Sequence, residues 1–111
     1  MIRPAEFRVE VDRGQSAVKL RIVGEIDIAR IKQLEQSRDG VLAGSPSTLV
    51  IDLSKVGFLD SSGLKFLLQT NERVQGLGCE LQIVRPAESV MKVFTLTGAD
   101  QRLPFVDLGT P

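Results

Sequence analysis

Two adjacent hydroxyls, Ser61 and Ser62, stand between an acid, Asp60, and a glycine, Gly63, directly after the apolar stretches Leu49-Val50-Ile51-Asp52-Leu53 and Val56-Gly57-Phe58-Leu59. A hydroxyl placed where a helix begins can accept a phosphoryl group. The added charge, about −1.5 to −2, would meet the positive end of the helix dipole and a neighbouring carboxylate at once. The same position also suits a plainer role. Either serine can serve as the helix N-cap, worth about 1 kcal/mol, with Asp60 favoured beside the positive dipole end. Capping explains one serine better than two. With one hydroxyl on the cap, the other is free to project outward, and Gly63 would keep the approach to it uncluttered by a side chain. The residues alone leave switch and cap both open.

Other serine chemistry finds no support. The chain has no histidine, so a Ser/His or Cys/His nucleophile pair is excluded, a zinc site is not expected, and no Gly-x-Ser-x-Gly elbow surrounds the serines. A Gly-x-x-x-x-Gly-Lys-Ser/Thr loop is also missing, as is an arginine cluster at the strand ends, so no nucleotide turnover is expected. The single cysteine, Cys79, cannot form an intramolecular disulfide, and with no basic group close by to activate a thiolate it is expected to be a small buried or turn residue. A non-enzymatic protein without a resident cofactor or metal is the expectation.

The 111 residues fit one domain, 1–111, and the 14 basic side chains are balanced by 14 acidic ones. That balance argues against nonspecific binding to nucleic acid or a membrane surface, which needs a basic excess. No stretch approaches the roughly 20 apolar residues of a membrane span, and Met1-Ile2-Arg3-Pro4 lacks the apolar core of a secretory signal, which predicts a cytoplasmic protein.

The elements that must position the serines follow from periodicity. Phe7, Val9 and Val11 alternate with polar residues, Arg13-Gly14-Gln15 makes a turn, and Val18, Leu20 and Ile22 alternate again, which predicts an antiparallel hairpin with one wetter face. Asp27 can cap a helix carrying Ile28, Ile31 and Leu34 and running to Val41 and Leu42, with Asp39-Gly40 making its end ambiguous. Thr48 to Leu53 is nearly continuously apolar, as expected of a central strand covered on both faces. A second helix is expected from Ser62 to about Val74, ended by Gly76-Leu77-Gly78. A strand over 80–85, a third helix after Pro86 ended by Gly98, and a short edge strand within Leu103-Pro104-Phe105-Val106 complete the order β-β-α-β-α-β-α-β. Helices linking successive strands imply parallel pairing after the antiparallel hairpin, hence a small α/β fold with a mixed sheet. The serines then lie where a strand's carboxyl end meets the next helix's amino end. On a wheel of about 100° per residue, Phe66 lies roughly opposite Leu64, Leu67 and Leu68, which predicts an exposed ring beside Ser61.

Taken together, Gly24-Glu25-Ile26-Asp27 before a helix, Leu49-Val50-Ile51-Asp52-Leu53, Phe58-Leu59-Asp60-Ser61-Ser62-Gly63-Leu64 and Phe94-Thr95-Leu96-Thr97-Gly98 resemble the bacterial anti-sigma factor antagonists, which are single STAS domains. The resemblance runs nearly end to end. It implies a STAS-like mixed sheet flanked by helices and a partner-switching protein of transcription regulation and stress response. The unphosphorylated form of such a protein binds an anti-sigma factor serine kinase and frees the sigma factor. In that family the first serine after the aspartate accepts the phosphate, which maps to Ser61. Asp27 and Asp60 match acids near the acceptor and the partner surface, and Ser62 and Gly63 complete the motif, with Phe66 expected as an apolar contact beside them. ATP would belong to the kinase, and a serine phosphatase would restore the active form. Glu25 and Asp27 can equally be strand-end and cap residues. Lys65 departs from the family, many of whose members carry a small residue there. The alternative is a STAS subunit with no phosphate cycle, acting as a structural partner in a transporter or signalling complex.

Overall fold

The computed structural model describes residues 6–107; the expectation drawn from residues 1–4 lies outside them. Strands β1 (Arg8–Arg13) and β2 (Ala17–Ile26) form the expected hairpin. A 3-10 turn (Ile28–Arg30) leads into α1 (Ile31–Leu42), then follow β3 (Thr48–Leu59), α2 (Ser61–Gly76), β4 (Glu80–Val84), α3 (Glu88–Thr97), a second 3-10 turn (Ala99–Gln101) and β5 (Phe105–Val106). The five strands lie in the order β1-β2-β3-β4-β5, antiparallel between β1 and β2 and parallel in every later pair.

Strands laid down in this order by right-handed crossovers leave all the crossover helices on one face. The core shows that arrangement: Val18, Leu20 and Ile22 of β2, Leu49, Ile51 and Leu53 of β3 and Leu81 and Ile83 of β4 share one cluster with Leu34, Val41, Phe66, Leu67, Val74, Val90 and Phe94 from the three helices. The strand residues alternate strictly, so they point to one side of the sheet. The expected cover on both faces of β3 is therefore corrected in kind: helices cover one face only. The strand does lie mid-sheet, but its other face carries a charged ladder that the apolar run concealed.

In that ladder Glu10 is registered with Arg21, and Arg21 with Asp52. Arg21 Nε donates to Asp52 Oδ2 at 3.2 Å, its Nη1 lies 3.6 Å from Glu10 Oε1, and the Ser54 amide donates to Asp52 Oδ1 at 2.9 Å. Asp52 is only 1% exposed. Burial pushes its carboxyl upward, but the Ser54 hydrogen bonds and the Arg21 guanidinium outweigh burial and hold it below the ordinary value of 3.8.

β3 runs six residues beyond the predicted end at Leu53, to Leu59. Its register against β2 slips twice, between Arg21 and Val23 and between Gly24 and Glu25, each time with an extra β3 residue. Such bulges bend a strand and re-aim its side chains. Past the first Val56 turns into the core, and past the second Leu59 does so while Phe58 turns out, 48% exposed. α1 ignores the breaker pair Asp39-Gly40 and continues to Leu42. Gly98 ends α3 as expected, at φ 80°.

Because the folded carboxyl pKa of Asp52 is depressed, the stability it contributes is present above the unfolded value and is lost as pH falls through the folded one. Asp52→Asn is expected to cost about 1–3 kcal/mol at neutral pH, with the gap to wild type closing as pH falls below 3.8. Urea unfolding at a series of pH values reads both.

Candidate functional site

β2 and β3 are neighbours and parallel, so their carboxyl ends emerge side by side, and the chain locks them there: the Asp60 amide donates to the Ile26 carbonyl at 3.2 Å. Each strand then hands over to a helical segment through an aspartate. Asp27, extended at φ −128°, accepts the Ala29 amide on Oδ1 at 3.0 Å and starts the 3-10 turn. Asp60, extended at φ −98°, accepts the amides of Ser62 at 2.9 Å and Gly63 at 3.2 Å on one oxygen and starts α2. The two acids are thus both caps, facing the same end of the sheet.

This geometry corrects the division of labour between the serines. Neither caps α2, because Asp60 does. Ser61 becomes the first residue of the helix, exposed, its hydroxyl with no hydrogen-bond partner among the described residues. Ser62 is half-buried and lines the cleft between α1 and α2.

Gly63 is also reassigned. It is buried, and a Cβ there would stand 2.8 Å from Ile26 Cγ2 and 2.8 Å from Leu59 Cγ. The glycine lets α2 press onto the ends of β2 and β3, and it does not serve to clear the approach to a hydroxyl.

Phe66 is corrected outright. The buried residues of α2 are Gly63, Phe66, Leu67, Thr70 and Val74, a stripe spaced three, one, three and four apart, as a helix facing a core requires. Leu64 and Leu68 lie on its flank, partly buried. The wheel reading centred the face on the leucines and so turned Phe66 outward, but α2 packs against α1 as well as the sheet, and Phe66 fills that second contact at 2% exposure. The apolar side chains that do face outward near Ser61 are Phe58, next but one before Asp60, and Ile28, 76% exposed and adjacent to Asp27.

Beneath this surface lies a polar clamp that sequence reasoning missed. Arg38 of α1, 6% exposed, lies with its guanidinium carbon 5.1 Å from the centre of the Phe66 ring. It donates to Thr70 Oγ1 at 3.0 Å, and Thr70 in turn donates to the Phe66 carbonyl at 2.8 Å. Asp39 accepts from Arg38 Nε at 3.0 Å and from Arg73 Nη1 at 2.7 Å. Every buried hydroxyl and guanidinium atom of the clamp is satisfied, which makes burial of the charge tolerable. A signal existed: Arg38 falls at helical spacing on the Ile31, Leu34, Val41 stripe.

Between the helices, above the clamp, an open cleft of about 240 Å³ is lined by Ile28, Ile31 and Glu35 on one side and Ser62, Lys65, Phe66 and Gln69 on the other. Among the described residues no group of His, Cys, Asp and Glu side chains could hold a metal ion, and no helix is long and apolar enough to cross a membrane. Cys79 is buried, and burial pushes its thiol upward.

Residues 9–108 match the family model described as Mlab, STAS domain. The chain belongs to the STAS domain family. This STAS domain is 36% identical over 101 residues to the anti-sigma-F factor antagonist RsfB of Mycobacterium tuberculosis, the match covering 91% of the chain and 82% of the relative. It is 29% identical over 92 residues to the anti-sigma-B factor antagonist of Bacillus subtilis, covering 83% and 84% of the two chains. The crystal structure of an anti-sigma factor antagonist from Mycobacterium paratuberculosis is similar to the STAS domain at TM-score 0.83 and 34% identity, covering 95% of this chain and 89% of that one.

If Gly63 is a packing residue of the STAS domain, Gly63→Ala forces Ile26 or Leu59 to move. It is expected to lower stability by about 1–3 kcal/mol, seen as a lower urea midpoint. Asp60→Ala removes the carboxylate that caps α2 and is expected to cost about 0.5–2 kcal/mol in the same measurement.

Proposed function

We propose that this STAS domain is an anti-sigma factor antagonist that switches partners through Ser61. Its unphosphorylated form binds a cytoplasmic anti-sigma factor that is also a serine kinase, and so frees the sigma factor for transcription. The observation that carries the reading is the state of Ser61: an exposed hydroxyl without a partner among the described residues, first in its helix, with the capping duty taken by Asp60. The names of the relatives, anti-sigma factor antagonists at 36% and 34% identity, support the same reading.

The surface offered to the kinase centres on Ser61 and includes Asp27, Asp60 and Ser62. Ile28 and Phe58 take the place of Phe66 as the outward apolar contacts, while Gly63 and Phe66 shape the surface from below. The kinase transfers the terminal phosphoryl group of ATP to Ser61 Oγ. The new O–P bond replaces the bond to ADP, which leaves, and the hydroxyl proton passes to the kinase's base or to solvent. A partner face that accepts a neutral hydroxyl would then meet a group of charge about −1.5 to −2 beside Asp60, with repulsion and a desolvation cost. A serine phosphatase hydrolyses the ester and restores the binding form.

The platform under Ser61 is built from backbone caps and buried side chains that the phosphate does not displace, so the switch alters the surface and leaves the fold. Incubation with the cognate kinase and ATP, followed by peptide mass spectrometry, is expected to place one phosphate on Ser61 and none on Ser62. Ser61→Asp is expected to melt like wild type while binding the kinase at least tenfold more weakly. Equal affinities would remove the mechanism, and an unmodified Ser61 would leave the chain as a STAS subunit with a constitutive structural role.

A further inference from the structure

We propose that Lys65 is a built-in counter-ion for the phosphate on Ser61, so that the phosphorylated state is held by an intramolecular ion pair as well as by repulsion of the partner. The inference rests on Ser61 as the modified residue and adds a regulatory contact to it.

Three observations on α2 lead to it. Lys65 follows Ser61 by four residues in a continuous helix, and residues at that spacing have Cβ atoms about 5–6 Å apart. At about 100° per residue, Lys65 lies about 40° round the helix from Ser61, and side chains of a helix tilt toward its amino end. The lysine stem therefore leans back toward Ser61, and a phosphoryl group on Ser61 Oγ would extend into its reach. The pair also has the favourable polarity, with the anion on the amino-terminal side of the cation.

Lys65 is also uncommitted. It is exposed, and its ammonium has no hydrogen-bond or ion-pair partner among the described residues. The carboxylate facing it across the cleft, Glu35 of α1, comes from the opposite wall and does not pair with it. Other charged groups toward this end of the sheet are the acids Glu25, Asp27 and Asp60, the last two already engaged with backbone amides, and Arg30 of the 3-10 turn, whose guanidinium carbon lies 5.1 Å from the centre of the Phe7 ring. Among the described residues no other lysine or arginine lines the cleft. A dianion on Ser61 would be the strongest acceptor within reach of Lys65, and the movement would draw the ammonium from the cleft wall toward the phosphate.

Two consequences follow. The phosphate of the free protein is partly neutralised and partly covered, and the cleft loses the cation that a partner meets in the unphosphorylated state. The modification thus changes two features of the docking surface together.

The test installs phosphoserine at position 61 during translation, so that it does not depend on whether any kinase uses the site. Phosphorus NMR then follows the second ionisation of the phosphate in the otherwise wild-type chain and in Lys65→Met and Lys65→Arg, each checked by circular dichroism for an unchanged fold. An opposite charge nearby favours the charged form, so the midpoint in the Lys65 and Lys65→Arg proteins is expected to lie about half a unit or more below that in Lys65→Met. Lys65→Gln serves as a second neutral variant if Lys65→Met proves unstable. Equal midpoints in the lysine and neutral proteins would overturn the ion pair, whatever a kinase does. A depressed midpoint together with no kinase modification of Ser61 would instead leave the ion pair standing and remove the proposed function.

Discussion

The Asp60 carboxylate takes hold of the Ser62 and Gly63 amides with one oxygen, while the Asp60 amide reaches back to the Ile26 carbonyl. One residue thereby ties the end of β3 to the end of β2 and sets where α2 starts. A helix leaves its first amides without intrahelical partners. Had a serine hydroxyl met that need, it would have been drawn inward. With an aspartate in place, the next residue, Ser61, stands at the surface with its hydroxyl unpartnered among the described residues.

The rest of the molecule keeps that start of α2 in one place. From below, the helix is pressed onto Ile26 and Leu59 at a spot where a Cβ would stand 2.8 Å from each side chain. From the side it is held to α1 by the Arg38 guanidinium on Phe66 and Thr70. On the other side of the sheet, the Arg21 and Asp52 pair joins the two strands that carry the capping aspartates. Each of these interactions has at least one buried member, so a charge added at the surface finds a firm support whose hydrogen bonds are already complete. The exposed surroundings, Ile28 and Phe58 with the half-buried acids, would supply the apolar and polar parts of the proposed docking face.

Much of this is legible in the sequence. Alternation in Val18, Leu20 and Ile22 and the helical recurrence of Leu34 and Val41 depend on a single buried face, and they lead to the right elements and the right strand directions. Gly98, at φ 80°, is a local rule obeyed locally. The misreadings share a cause: each judges a residue from one surface when two act on it. Phe66 looks outward on a wheel drawn for the sheet alone, but α1 buries it. Gly63 looks like clearance for a hydroxyl, but the strand ends crowd it. Asp52 looks like a minor interruption of an apolar strand, yet it belongs to a cross-strand ladder whose other members, Arg21 and Glu10, come from β2 and β1. Arg38 carries a visible sign, a cation on an apolar stripe. The family motif places Ser61 correctly at a helix start, but it does not say which neighbour takes the cap.

A switch of surface, with the fold left intact, is tested by comparing amide spectra of the isotope-labelled protein with serine and with phosphoserine at position 61. Chemical-shift changes confined to the start of α2, the Asp27 turn and the facing wall of α1, with the β3 and β4 amides unmoved, are the predicted result. Shifts spread through the sheet and α3 would mean that the phosphate rearranges the domain, and would contradict it.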